Sequence, residues 1–185
     1  MGNFTVVGEI GEILVELLKS GFQESKEFSE QSVEIVLGVP EVPDSVTLRV
    51  IVFLYHIDRN AERENQCVFN PKLVLELHYL LIAFAKDDKA FEHKMAGKIA
   101  EILNDHMILA VDGFKEKPGF TGAGYPVTVN MVQMTLDEKY KLWTAFPKIT
   151  DKTFLPYVAR PVTISGKPDI PRIPVTSREY IIKNK

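Results

Sequence analysis

Four histidines, one cysteine and a scatter of carboxylates are the side chains here best suited to acid–base, nucleophilic or metal chemistry. The histidines are His56, His78, His93 and His106. None forms H-E-x-x-H or H-x-x-x-H, so no helix offers a paired zinc face. His56 and His78 fall in segments with strand character, where a lone histidine reads as a hydrogen-bonded structural residue and not as a switch. Cys67 has no second cysteine for an internal disulfide and no nucleophile motif beside it, although a Cys–His pair assembled in space stays open. Glu76 with His78, or Asp87 with Asp88, could serve as acid–base groups, but carboxylates at strand ends and helix starts commonly act in capping and solubility. The chain has no G-x-S-x-G elbow. Its glycines from Gly119 to Gly124 lack both the following Lys-Ser/Thr of a phosphate loop and the order of a dinucleotide fingerprint. These absences lead to three expectations: no catalytic residues, no cofactor and no metal.

The elements that would carry these residues can be read from periodicity. From about Asn3 to Leu18, apolar residues at Val6, Ile10, Ile13, Leu14, Leu17 and Leu18 follow helical spacing, with Glu9, Glu12, Glu16 and Lys19 opposite. Gly21 stands where such a helix would end in a left-handed turn. Gly8 and Gly11 weaken the helix by about 1 kcal/mol each relative to alanine. Either packing compensates for them, or they admit a close neighbour.

Gln23–Gln31 reads as a loop and Ser32–Leu37 as a short strand. Val46–Ile57 (VTLRVIVFLYHI) is rich in β-branched and aromatic residues and apolar on both faces from Val50, as a central strand covered on both sides should be. Leu73–Ala85 (LVLELHYLLIAFA) reads as a further strand, with Leu75, Leu77, Tyr79, Leu81 and Ala83 on one face. A helix follows, capped by Asp87 or Asp88 and carrying Phe91, Met95, Ile99 and Leu103 along one side. His106–Val111 is a short strand candidate and Tyr125–Met134 an alternating one. Thr135-Leu-Asp-Glu138 has the form of a capping box, opening a helix with Leu136, Tyr140 and Trp143 on one face and a stop at Pro147. Phe154–Ile164 is extended, and Pro156 and Pro161 lack N–H donors, so an edge position or an irregular strand is expected.

These elements predict an α/β (α+β) fold: a mixed sheet flanked by three helices. Residues 1–165 form the domain, and 166–185 an extended arm. Pro168, Pro171 and Pro174 recur every third residue, which favours a polyproline-like conformation. Gly113–Gly124 (GFKEKPGFTGAG), with four glycines and one proline, reads as a flexible loop.

Composition sets outer bounds. The 185 residues suit one domain with a real core, and hydrophobic and charged fractions of 45% and 25% are ordinary for a globular chain. A net charge of -3 gives no footprint for nucleic acid. The acidic residues in the first stretch and the shortness of the run Val50–Leu54 argue against a signal peptide and a membrane span.

Several stretches in a fixed order carry a resemblance. Asp58–Asn65 (DRNAEREN) runs into Leu75–Ala85 (LELHYLLIAFA). An amphipathic helix containing Gly97 comes next, with Asn104–Leu109 (NDHMIL) after it. Leu136–Trp143 (LDEKYKLW) and Pro156–Ile164 (PYVARPVTI) complete the series. This order resembles the tail-terminator family of extracellular contractile injection systems, related to the antifeeding prophage and Photorhabdus virulence cassettes. It spans roughly Asn3 to Ser165 and does not extend into the arm.

The resemblance implies a structural cap, not an enzyme. Such a cap is a six-fold ring of identical copies that ends inner-tube polymerisation and anchors the terminal sheath layer. It implies partners in the tube and sheath proteins, and assembly in the cytoplasm of a particle that is later released or membrane-anchored. The expected joints are the glycine-rich loop, through Gly119, Phe120, Gly122 and Gly124, and the arm, through Pro168, Pro171 and Pro174. Competing readings are a head–tail completion protein of a contractile phage, and a small hydrolase using His78 or His106 with a nearby carboxylate.

Overall fold

The computed structural model describes residues 5–41, 47–61, 72–109 and 126–165. The elements run α1 (Val6–Glu24), β1 (Glu34–Leu37), β2 (Leu48–Arg59), β3 (Lys72–Ala85), α2 (Lys89–Asp105), β4 (Ile108–Leu109), β5 (Val127–Met131), α3 (Leu136–Ala145), a 3-10 turn (Pro147–Ile149) and β6 (Thr153–Ser165). Six strands form one mixed sheet in the order β1-β2-β3-β6-β5-β4, with β1 parallel to β2 and the other pairs antiparallel. The expected α+β architecture of a mixed sheet with three helices is present.

Alternation along the strands divides the side chains between two faces. One face carries Val50, Val52, Leu77, Tyr79, Leu81 and Ala159, packed under α1 and α2 through Ile10, Leu14, Leu18, Met95, Ile99 and Leu103. An edge-to-face aromatic chain, Phe22–Phe28–Phe91, ties the end of α1 to the start of α2, with ring centroids 5.0 and 5.3 Å apart. The other face carries Ile51, Leu80 and Ile82, covered by Ile149, Leu142, Trp143 and Phe146. β2 is therefore apolar on both sides from Val50 to Val52, as its sequence suggested.

Helix α1 does not stop at Gly21. It continues to Glu24 because α2 crosses here: a Cβ on Gly21 would lie 2.5 Å from both Cδ1 and Cγ1 of Ile102. This glycine is an approach point, not a C-cap. Gly8 and Gly11 divide between the two alternatives. A Cβ on Gly11 would meet Leu37 Cδ1 at 2.9 Å, whereas one on Gly8 would meet nothing within 4 Å among the described residues.

The caps read in the sequence form as expected. Asp88 accepts the Phe91 N–H at 2.9 Å, and Thr135 and Glu138 form a reciprocal capping box. The apolar face read for α3 splits, however. Trp143 packs on the sheet, while Leu136 and Tyr140 are 63% and 57% exposed.

β6 is not an edge strand, because it lies between β3 and β5. Its prolines are accommodated by two local devices. Opposite Glu76 the register slips, so that Leu75 pairs with Val162 and Leu77 with Ala159, leaving Arg160 and Pro161 against one residue. The Pro156 carbonyl accepts the Val132 N–H at 3.0 Å, just past the last β5–β6 pair, Met131↔Tyr157. In a strand the N–H and C=O of one residue face the same neighbour, so the donor missing from Pro156 falls where that ladder ends.

Candidate assembly surface

The sequence-predicted interface residues Gly119, Phe120, Gly122, Gly124, Pro168, Pro171 and Pro174 all lie outside the described residues, as does Cys67. What can be built from the residues upward is the surface of the sheet and its edges.

β2 and β3 place His56 directly across from His78, with ring centroids 5.6 Å apart. Asp58 lies between them: Oδ1 is 2.9 Å from His56 Nε2 and Oδ2 is 3.2 Å from His78 Nε2. The second contact has the distance of an ion pair but not hydrogen-bond alignment, since His78 Nε2 is buried without a hydrogen-bond partner among the described residues. Glu76 does not join His78 in an acid–base pair. It accepts from Asn60 Nδ2 at 2.7 Å and faces Arg160 Nη1 at 3.4 Å. His106 is remote in role, its Nδ1 2.8 Å from the carbonyl of Ile102 at the end of α2.

This cluster was missed in the sequence because it depends on cross-strand register, which shifts between Leu54 and His56. It sits on the half of the face not covered by α3, with the His56 and Asp58 side chains more than half exposed. Among the described residues no group of three or more His, Cys, Asp or Glu is placed to hold a metal ion. A hydrolase reading requires a concave pocket holding His78 or His106 with a carboxylate. Neither hollow described next is lined by a histidine.

Some of the exposed apolar residues lie at the ends of the sheet order, while Ile57 and Leu73 are exposed on β2 and β3 and Leu136 and Tyr140 on α3. Leu37 and Val39 flank the β1 edge, and Met107, Ile108 and Met131 flank the β4–β5 edge. Each edge has a hollow. Leu103, Met107, Val129, Met131 and Tyr157 help line a groove of about 530 Å³ between α2 and β5. Gly8, Gly11, Leu37, Val39, Leu54 and Tyr79 help line a smaller one of about 260 Å³ between α1 and the end of β1. The Tyr79 side chain is fully buried and its hydroxyl has no hydrogen-bond partner among the described residues. Burial pushes that hydroxyl's pKa far above the ordinary tyrosine value, so it stays protonated.

The described residues form an α+β domain with exposed apolar residues at both ends of its sheet order. The chain matches the family described as Pvc16 N-terminal domain over residues 9–178, and it is a member of that family. Among solved structures it is similar to a sheath/tube terminator of an extracellular contractile injection system in its extended state, with a TM-score of 0.62 and 14% identity. It is also similar to the tube-terminating cap of the anti-feeding prophage, with a TM-score of 0.54 and 14% identity. The matches cover 97% and 90% of this chain but only 64% and 59% of those chains. No curated protein matches by sequence. Among the described residues no helix is long and apolar enough to cross a membrane.

Proposed function

We propose that this chain is a structural terminator of a contractile injection particle, acting by assembly. The observation that carries the reading is the fold, superposable over nearly its whole length on a protein described as a sheath/tube terminator. Membership of the Pvc16 N-terminal domain family supports it independently of the superposition.

In this reading identical copies close into a six-fold ring. One face of the ring matches the last ring of the inner tube and ends its growth, and the chain also anchors the terminal sheath layer. Closure needs two different patches on each copy, one meeting the other on its neighbour. The two apolar sheet edges supply patches of that kind. The glycine-rich loop through Gly119, Phe120, Gly122 and Gly124 and the arm through Pro168, Pro171 and Pro174 serve as joints to neighbouring copies or to sheath. Residues 1–165 are the folded unit and 166–185 the arm, and assembly takes place in the cytoplasm.

Imaging and mass measurement of the purified chain, together with particles assembled without it, test the reading. A six-fold ring and overlong tubes in its absence are expected. A monomer that binds neither tube nor sheath and leaves tube length unchanged overturns it. Unchanged ring formation and sheath attachment after deletion of 166–185 would sink the role given to the arm.

A further inference from the structure

Strand pairing along the outer edge of β2 is incomplete. β1 pairs with β2 only from Arg49 to Val52, and a last contact runs from the Gly38 N–H to the Val52 carbonyl at 3.1 Å. From Phe53 to Asp58 no strand lies beside this edge among the described residues. An open strand edge offers main-chain donors and acceptors to an added strand.

The smaller apolar hollow begins where β1 stops. Its walls are α1 at Val7, Gly8 and Gly11, the chain at Leu37–Val39, and β2 and β3 at Leu54 and Tyr79. A strand laid along Phe53–Asp58 would direct every second side chain toward the α1 side of the sheet, where this hollow opens. Two features point to an occupant. Gly8 leaves space into which even a Cβ would protrude without contact. The buried Tyr79 hydroxyl has a hydrogen-bond donor to give and no acceptor among the described residues.

The chain itself contains a segment of suitable length and chemistry. It continues from Gly166 to Lys185, a stretch that extended at about 3.3 Å per residue reaches on the order of 60 Å. Pro168, Pro171 and Pro174 remove ladder donors, but Val175–Lys185 contains no proline and carries Val175, Tyr180, Ile181 and Ile182. Ser165 pairs with Lys72, and Leu75 with Arg59, so the arm leaves from the end of the sheet where β2 also finishes. On the ring reading, the arm that reaches this edge comes from a neighbouring copy.

We infer that the Phe53–Asp58 edge and the hollow beside Gly8 and Tyr79 receive the Val175–Ile182 segment of a second copy, as an added strand with one apolar side chain seated in the hollow. The inference rests on the ring reading and supplies one of its joints.

The test uses the full-length chain with a photo-crosslinking residue at position 181, mixed with isotopically heavy copies. Cross-links should join the arm of one copy to Val7–Gly11, Leu37–Val39 or Phe53–Leu54 of another. Gly8→Leu, which fills the hollow, should abolish them with no fall in Tm. Tyr79→Phe should weaken inter-copy cross-linking while leaving Tm unchanged or higher, because the unpartnered hydroxyl is gone. Rings that form with cross-links elsewhere, with cross-links only inside one chain, or with undiminished yield in Gly8→Leu overturn this inference and leave the ring reading standing. A monomer without inter-copy cross-links overturns both.

Discussion

Glu92, in the first turn of α2, accepts the backbone N–H of Thr153, the first residue of β6, at 2.8 Å. The carboxylate is 1% exposed, and Lys89 stands 3.2 Å from it. One side chain thus ties the start of a helix to the start of a central strand and satisfies a backbone donor away from water. Glu92→Ala leaves that N–H unsatisfied and should destabilise the fold by about 2–3 kcal/mol. Urea unfolding followed through the fluorescence of Trp143, the only tryptophan, measures this. A loss below about 0.5 kcal/mol, the range of ordinary surface changes, would show the tie to be idle.

Two glycines of the same helix should respond in opposite directions. Gly21→Ala forces its Cβ against Ile102 and should cost about 1–3 kcal/mol of overpacking, against a gain of about 1 kcal/mol in helix propensity. Gly8→Ala meets nothing and should stabilise by about 0.5–1 kcal/mol. Thermal melts of the two variants check the sign of each change, and a gain in the Gly21 variant would refute the close approach.

The capping box on α3 makes a prediction about pH. Hydrogen bonds from the Thr135 side chain and backbone hold the Glu138 carboxyl below the ordinary glutamate value. A folded-state pKa below the unfolded one contributes stability that is intact above the unfolded pKa and fades as pH falls through the folded one. The Tm difference between the natural chain and Glu138→Gln should therefore be constant near neutrality and shrink below pH 4.5. A difference that grows on acidification would contradict the geometry. Thr135→Ala, which removes the cap itself, should cost about 0.5–2 kcal/mol.

Leu136 should be nearly silent in the isolated chain. It is 63% exposed, and α3 buries none of its ten residues fully. Leu136→Gln should change stability by less than about 0.5 kcal/mol in chemical denaturation. A cost above about 1.5 kcal/mol, typical of a buried leucine side chain, would place it in the core instead.

The long apolar strands and the two caps were legible because periodicity and capping are local signals. The double-sided character of β2 could be read from Val50-Ile-Val52 alone. Gly21 misled because a helix-ending glycine and a helix-crossing glycine look alike until Ile102, far along the chain, is placed beside it. Of the two alternatives its prolines left for β6, an edge position or an irregular strand, the second holds: a register slip and the end of β5 make room for them in the sheet interior. The His56–Asp58–His78 group was illegible because its members meet only through the irregularity at Leu54/His56. The family resemblance was readable from the order of several stretches, and the chain belongs to the Pvc16 N-terminal domain family, while the joints expected at Gly119–Gly124 and Pro168–Pro174 fall outside the described residues.

Along β2, burial passes from the fully buried Val50-Ile-Val52 to exposed positions from His56 onward. One strand thus belongs to the interior at one end and to the outer surface at the other. Sequence drift among relatives should be unequal within it: slow through the first half, where a methyl group lost is felt by the whole domain, and fast through the second. Whatever that second half touches is therefore free to change with its partner, without the fold being renegotiated each time.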